Sequence, residues 1–217
     1  MARFEMSNTP DLHSRIAVGY ADAKALCAEW VPITVEASAA NIWEPPGLVY
    51  DLVFFGSLEY LPNIEALEYI ANIWPIVKSE RPATTLLVAG ARPTERVKAM
   101  VSRCGWSMWE DFDDIGEMLS HARLSLVPLR HASGMQTKVL DAASHGIPQV
   151  VSAVGLAGFS PGFPARVADS ESEFIEAILS LLESRDELLV LGEASKAHVL
   201  TEYSVERWVD WADRLSL

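Results

Sequence analysis

The run Asp51-Leu-Val-Phe-Phe55, followed by Gly56, decides the fold. A nearly continuous apolar run that stops at a glycine is the pattern of a strand buried on both faces of a parallel sheet. Pro62 then opens a predicted helix, because a proline in the first turn loses no hydrogen bond. The apolar stripe of this helix consists of Ile64, Leu67, Ala71 and Trp74. The segment therefore predicts a buried strand followed by a helix that packs against the sheet.

The same alternation continues to the C-terminus. Further strands are predicted at residues 85–89, 106–109, 124–127 and 149–152, and further helices at 94–103, 115–121, 135–145, 171–184, 186–200 and 204–216. Alternating strands and helices of this kind predict an α/β domain, a Rossmann-like parallel sheet with helices on both faces, over residues 48–217.

The first 47 residues do not show this regular alternation of strands and helices. They contain a strand predicted near 16–19, a helix over 22–29 and a strand near 33–35, and they end at the Pro/Gly break Trp43-Glu-Pro-Pro-Gly47. These elements are too few to form a core of their own. We therefore expect residues 1–47 to pack on the α/β domain as an appendage.

Charge and composition narrow the class of ligand. The net charge of −13 repels polyanions, so we expect no nucleic-acid partner and only locally held phosphate. The chain has no apolar run long enough to cross a membrane and no secretory signal at its start, which favours a cytoplasmic location. Cys27 and Cys104 lack metal-ligand spacing and are too few for a disulfide framework.

Candidate binding residues cluster after the strand at 124–127. In a parallel sheet, ligands bind beyond the carboxyl ends of the strands. Ser133 and Gly134 are expected to open the next helix, whose first N–H groups would attract a diphosphate. Lys138 would add a positive charge, and Asp141, one turn further on the same face, would accept hydrogen bonds from ribose hydroxyls. This order of groups suits a nucleoside diphosphate.

This segment resembles the donor site of the group 1 (family 4) glycosyltransferases of the GT-B fold. Gly134-Met-Gln-Thr-Lys-Val-Leu-Asp-Ala142 is similar to the string GIQNKVLEA of one subgroup. Phe54-Phe-Gly-Ser-Leu-Glu-Tyr-Leu-Pro-Asn63 resembles the family's opening F-G-S-x-x-Y-x-P-N, and Leu87-Val-Ala-Gly-Ala-Arg-Pro93 resembles its V-V-G-x-x-P. Glu202-Tyr-Ser204 matches its closing Y-S. The shared order and spacing of these pieces carry the resemblance over most of the chain.

The resemblance implies a hexosyltransferase of polysaccharide biosynthesis that moves a sugar from a nucleotide diphosphate sugar with retention of anomeric configuration. It implies no metal and no cofactor besides this donor substrate, and it places the base near the loop at 110–112. The residues that it assigns to donor binding are Gly56, Ser57, Arg130, Ser133, Gly134, Met135, Gln136, Lys138 and Asp141.

The sequence departs from the family at several of these positions. Of the family's two glutamates eight positions apart, the second, which binds the ribose, falls on Asp141, and the first, associated with the sugar, falls on Ser133. The family's Arg/Lys pair falls near Ser57 and Pro62, which carry no charge. Lys138 and Arg130 are therefore expected to meet the diphosphate alone, and no catalytic residue is assigned.

The resemblance also implies a second domain that binds the acceptor. Residues 1–47 resemble only the last helix and strand of that domain plus the linker, so we expect a fragment of a longer enzyme, a partner polypeptide or a degenerate gene. We also expect self-association or a partner through residues 1–47 and the last helix. Alternatives are a nucleotide-sugar-binding module without turnover, half of a nucleotide-sugar epimerase and, remotely, an acidic flavodoxin-like regulator.

Overall fold

The computed structural model describes residues 15–35 and 50–215. Two short parallel strands, β1 (Ile16–Ala17) and β2 (Glu29–Trp30), form a small sheet of their own. The strands of the main sheet are β3 (Tyr50–Phe55), β4 (Leu86–Gly90), β5 (Ser107–Glu110), β6 (Ala122–Val127), β7 (Gln149–Val151) and β8 (Arg166–Val167). They are all parallel and lie in the order β5-β4-β3-β6-β7-β8.

Strand β3 lies at the centre of this sheet. Leu52 pairs with Leu86 of β4 on one side and with Leu124 of β6 on the other. Leu52, Val53 and Phe54 are fully buried, as expected for an apolar run in a strand with neighbours on both edges. The strand order reverses its direction between β3 and β6, and a crevice opens at such a switch point, beyond the carboxyl ends of the two strands.

Helices cover both faces of the sheet, which confirms the predicted fold class. In the described part of the chain they are α1 (Tyr20–Leu26), α2 (Leu61–Glu80), α3 (Glu95–Cys104), α4 (Ile115–Ser120), α5 (Thr137–Ser144), α6 (Ala153–Leu156), α7 (Glu171–Glu183), α8 (Arg185–Glu202) and α9 (Val205–Leu215). Helix α2 packs against α3 and α7, and α5 packs against α8. None of the described helices combines the length and the apolar character that a membrane crossing requires.

Four details differ from the sequence-based expectations. The second N-terminal strand is Glu29–Trp30 rather than 33–35, and α5 begins at Thr137 rather than at residue 135. The backbone of Gly134 has φ +65°, in the left-handed region, so Gly134 cannot be part of a right-handed helix. Strand β8 and helix α6 were not predicted at all. Two exposed residues form β8, so it lacks the apolar run that marks a buried strand.

Residues 15–35 pack on the C-terminal half of the α/β domain. The N–H of Tyr20 donates a hydrogen bond of 2.9 Å to the carbonyl of Gly158. The ring of Trp30 meets Tyr203 edge to face at 5.8 Å, and the N–H of Val35 donates to the carbonyl of Tyr203 at 3.0 Å. The linker at 43–47 lies outside the described residues, so the boundary at residue 47 stays a prediction.

Candidate functional site

A cavity of about 440 Å³ opens at the carboxyl ends of β3 and β4, beside the switch point. Four chain segments form its walls: the loop after β3 with the start of α2, the loop after β4, the segment from Phe112 to the start of α4, and the start of α5. The residues that line it are Phe55, Gly56, Ser57, Tyr60, Asn63, Gly90, Ala91, Phe112, Ile115, Gln136, Thr137, Lys138 and Asp141. This is the position at which a doubly wound sheet binds its ligand.

Gly56 gives the loop after β3 its path past this cavity. Its φ of +142° lies in a region that side chains rarely adopt. A Cβ at this position would lie 3.0 Å from Nζ of Lys138 and 3.0 Å from Nδ2 of Asn63. Gly56 therefore leaves the room that these two side chains occupy.

Lys138 brings a buried cation to the cavity. The residue is only 9% exposed, and its Nζ lies 4.7 Å from the centre of the Phe54 ring. Nζ donates a hydrogen bond of 2.6 Å to Oδ1 of Asn63, and among the described residues it has no carboxylate partner. Burial alone lowers the pKa of Lys138 to about 7. An anion in the cavity would restore the charged form.

Asn63 is the main site residue that sequence reasoning missed. Its side chain is 4% exposed and bridges two segments, because Nδ2 donates to the carbonyl of Ser57 at 2.8 Å while Oδ1 accepts from Lys138. The available signal was the Pro62-Asn63 pair in the string similar to the family's opening. The proline of this pair predicts a helix start, and that prediction does not by itself mark the asparagine as a site residue.

Asp141 lies one turn beyond Lys138 on the cavity side of α5. It is partly buried, and burial raises the pKa of its carboxyl group while the neighbouring His145 lowers it. His145 sits at the end of the helix, where Nδ1 lies 2.8 Å from the carbonyl oxygen of Asp141. This contact involves the backbone of Asp141, and the side chain of Asp141 lines the cavity.

The predicted site residues fall into two groups. Gly56, Ser57, Gln136, Lys138 and Asp141 all line the cavity, and Arg130, Ser133, Gly134 and Met135 do not.

The second group has other surroundings. The guanidinium of Arg130 lies 5.8 Å from the centre of the Tyr69 ring and is exposed. Met135 belongs to the hydrophobic core. Ser133 and Gly134 are exposed in the loop before α5, so the expectation that they open this helix is wrong. The N-cap is Gln136, whose side chain donates to the carbonyl of Ser133 at 3.3 Å and makes no cap hydrogen bond to the helix.

Apolar and aromatic residues complete the cavity wall. Phe112 lies in the loop between β5 and α4, Ile115 is the first residue of α4, and Tyr60 directly precedes α2. Phe112 lies in the loop where the family resemblance places the base. Neither of the other two is among the predicted site residues. Ile115 stands in no motif, and Tyr60 belongs to the string that resembles the family's opening, in which only Gly56 and Ser57 are assigned to donor binding.

A family model described as "Glycosyl transferases group 1" matches residues 50–184. Among solved structures, TarM superposes with a TM-score of 0.79 at 12% identity, over 98% of this chain and 45% of TarM. HepE from Anabaena in complex with UDP gives 0.77 at 13% identity, over 99% and 67% of the two chains. A glycosyltransferase from Rickettsia africae gives 0.75 at 10% identity, over 99% and 65%. No curated protein matches the chain.

These neighbours are GT-B glycosyltransferases, and at such low identities they establish the fold of this chain alone. The chain spans less than half the length of TarM and about two thirds of HepE. The family model, in contrast, matches more than half of the chain and includes every residue that lines the cavity. The chain therefore belongs to the group 1 glycosyltransferase family.

Proposed function

We propose that this chain is the donor-binding half of a retaining hexosyltransferase that uses a nucleotide diphosphate sugar. The observation that carries the proposal is the pair formed by Lys138 and Asp141, which lie one turn apart on α5 and line the same cavity at the switch point. A cation and a carboxylate in this arrangement suit the two polar parts of a nucleoside diphosphate. We also propose that the chain falls in the subgroup that bears GIQNKVLEA.

The diphosphate has one strong binding group in this site. Lys138 is buried and makes its hydrogen bond to a neutral amide, so its charge is not neutralised by the protein. A buried cation interacts more strongly with an anion than a solvated cation does, because little water screens the pair. Lys138 and the first N–H groups of α5 would stabilise the charge that develops on the leaving diphosphate, without a metal.

The nucleoside fits the remaining walls. Asp141 would accept hydrogen bonds from the ribose hydroxyls, and Phe112 and Ile115 offer an apolar surface for the base. The volume of about 440 Å³ lies within the roughly 300–1,000 Å³ of typical ligand pockets. HepE has been solved in complex with UDP-glucose, so a UDP-sugar is the first donor to test here.

A second candidate function is a module that binds the nucleotide sugar without turnover. The position where the family places a carboxylate near the donor sugar holds Ser133, which is exposed and outside the cavity. Hydrolysis or transfer of UDP-glucose by the chain would decide against this candidate.

The acceptor side of the reaction involves a second surface. Exposed apolar side chains on α9, Val205, Trp208 and Val209, follow helical spacing, and Ile16 and Val18 are exposed in the N-terminal segment. The neighbours extend well beyond the part that this chain matches. We propose that an acceptor-binding domain or a second copy of the chain covers these side chains.

Calorimetry with UDP, GDP and ADP tests the donor site. Loss of a charge-assisted contact should cost on the order of 1.5–3 kcal/mol, which is about tenfold or more in affinity. Lys138→Ala and Asp141→Ala should each show this loss. Lys98→Ala is the matched control, because Lys98 is an exposed lysine on α3, outside the cavity lining, that forms an ion pair of 3.6 Å with Glu95. Equal affinity in the wild type and in both site variants would reject the site.

A further inference from the structure

The loop after β3 carries no cation, although the family resemblance places an Arg/Lys pair near Ser57 and Pro62. The structure shows what occupies this side of the cavity instead. Asn63, one residue after Pro62, extends from the first turn of α2 to Lys138 on α5. Its side chain therefore joins the two walls of the cavity that come from opposite sides of the switch point.

The chemistry of its two partners fixes the orientation of the Asn63 amide. The carbonyl of Ser57 can only accept a hydrogen bond, so it must face Nδ2, at 2.8 Å. The ammonium of Lys138 can only donate, so it must face Oδ1, at 2.6 Å. An amide with one donor end and one acceptor end satisfies both partners at once.

A carboxylate of the same size would not satisfy both. Asn63→Asp would place an acceptor against the Ser57 carbonyl and an anion against Lys138. The first contact is repulsive, and the second neutralises the cation that the proposed diphosphate requires. An amide, in contrast, holds the ammonium in place and leaves its charge available.

Among the described residues that line the cavity, no charged group holds the Lys138 ammonium in place of Asn63. Asp141 is the acidic residue among those that line the cavity, and no hydrogen bond or ion pair joins its carboxylate to Lys138. The phenol of Tyr60 is the remaining titratable group of the lining. On the strand side, the ammonium faces the Phe54 ring and the space beside Gly56.

We propose that Asn63 is a positioning residue, whose amide holds the Lys138 ammonium at the cavity wall, without neutralising it, for contact with the donor diphosphate. In place of a second cation in the loop, a neutral side chain directs Lys138, the cation among the described residues that line the cavity. The part of this inference that concerns the diphosphate rests on the proposed function. The contact between the two side chains does not.

The first experiment requires no ligand. NMR with lysine labelled at Cε follows the titration of Lys138 in the wild type, Asn63→Ala, Asn63→Asp and the control Asn72→Ala, an exposed asparagine on the same helix. Asn63→Asp should raise the pKa of Lys138 by about one to three units, because a carboxylate stabilises the ammonium. Asn63→Ala should lower it, because the ammonium loses its acceptor. Asn72→Ala should leave it unchanged. Identical titrations in all four proteins would overturn the proposal.

The second experiment measures UDP binding to the same four proteins. Asn63→Ala and Asn63→Asp should each weaken UDP binding by about tenfold or more, as expected when the main charged contact is misplaced or neutralised. Asn72→Ala should bind as the wild type does. Wild-type affinity in Asn63→Asp would overturn the positioning role. A wild type that binds none of UDP, GDP and ADP would instead reject the proposed function, and the lysine titration would still decide whether Asn63 positions Lys138.

Discussion

A Cβ atom on Gly90 would lie 1.8 Å from the carbonyl oxygen of Gly56. Gly90 is the last residue of β4, Gly56 directly follows β3, and both line the cavity. Their backbones approach each other so closely that no side chain fits between them. The N–H of Gly56 also donates to the carbonyl of Ala89 at 3.0 Å. The path of the loop that carries Ser57 therefore depends on a glycine in the neighbouring strand.

Gly90→Ala should destabilise the fold and displace the Gly56 loop. The overlap with backbone and the φ of +155° together predict a loss of about 2–4 kcal/mol in the free energy of unfolding. Gly162→Ala is the control, because its φ of +86° is also positive but no atom lies within 4 Å of the added Cβ. Its loss should be about 1–2 kcal/mol. Urea denaturation measures both, and equal losses would contradict the predicted steric overlap.

Lys138 should make the stability of the protein depend on pH. Its pKa of about 7 in the folded chain lies below its ordinary value of 10.5 in the unfolded chain. Below pH 7 both states hold the proton, and the full cost of burying the charge is present. Between pH 7 and 10.5 the unfolded chain binds more protons, so the free energy of unfolding rises with pH, by up to about 1.4 kcal/mol per unit. Relative to Lys138→Met, the wild type should therefore gain stability from pH 7 to 9. Parallel pH profiles for the two proteins would show that Lys138 is not buried as a cation.

UDP binding should have the opposite pH dependence. The diphosphate favours the protonated form of Lys138, and the free protein loses that proton as the pH rises above about 7. The affinity of the wild type should therefore fall with rising pH, by at most about tenfold per unit. Lys138→Met should bind more weakly, with little change over the same range. Calorimetry from pH 6.5 to 9 provides the comparison, and an affinity that increases with pH in the wild type would contradict a role for the ammonium.

Nucleotide affinity should depend on the negative charge of Asp141 more than on the length of its side chain. Asp141→Glu keeps the charge and introduces the residue that the family carries at this position, so nucleotide affinity should stay close to that of the wild type. Asp141→Asn replaces one acceptor oxygen by a donor and should weaken binding by about tenfold. Glu193→Gln, an exposed carboxylate on α8, serves as the control for loss of one negative charge. The ribose assignment fails if Asp141→Asn binds as tightly as Asp141→Glu.

The apolar side chains of α9 should promote association. Val209 is 48% exposed on this helix, and Val190 is 66% exposed on α8. Val209→Glu should shift the chain toward the monomer in light scattering, because a charge in an apolar interface must be desolvated. Val190→Glu should leave the distribution unchanged. A wild-type chain that stays monomeric at high concentration would favour an acceptor domain over a second copy as the occupant of this surface.

The sequence determined the fold class because the relevant signals are local. The apolar runs 51–55, 85–89 and 124–127, each closed by a glycine or proline, predicted buried strands, and helical spacing after Pro62 predicted α2. The position of Lys138 and Asp141 on one helix face also followed from spacing alone, because residues three apart lie on the same side of a helix. Strand β8 escaped prediction, since its two exposed residues carry no periodic pattern.

The tertiary structure decided which residues meet at the cavity. Asn63 and Lys138 are separated by 75 positions, and no local pattern relates them. The order of the strands places β3 next to β6, and this order brings the start of α2 against α5. The same packing buries Met135 in the core and leaves Gly134 outside the cavity, although both belong to the string that suggested the site. The directions of side chains near a helix start depend on the residue at which the first turn begins. Gly134 has a left-handed backbone, and the first turn of α5 begins at Thr137.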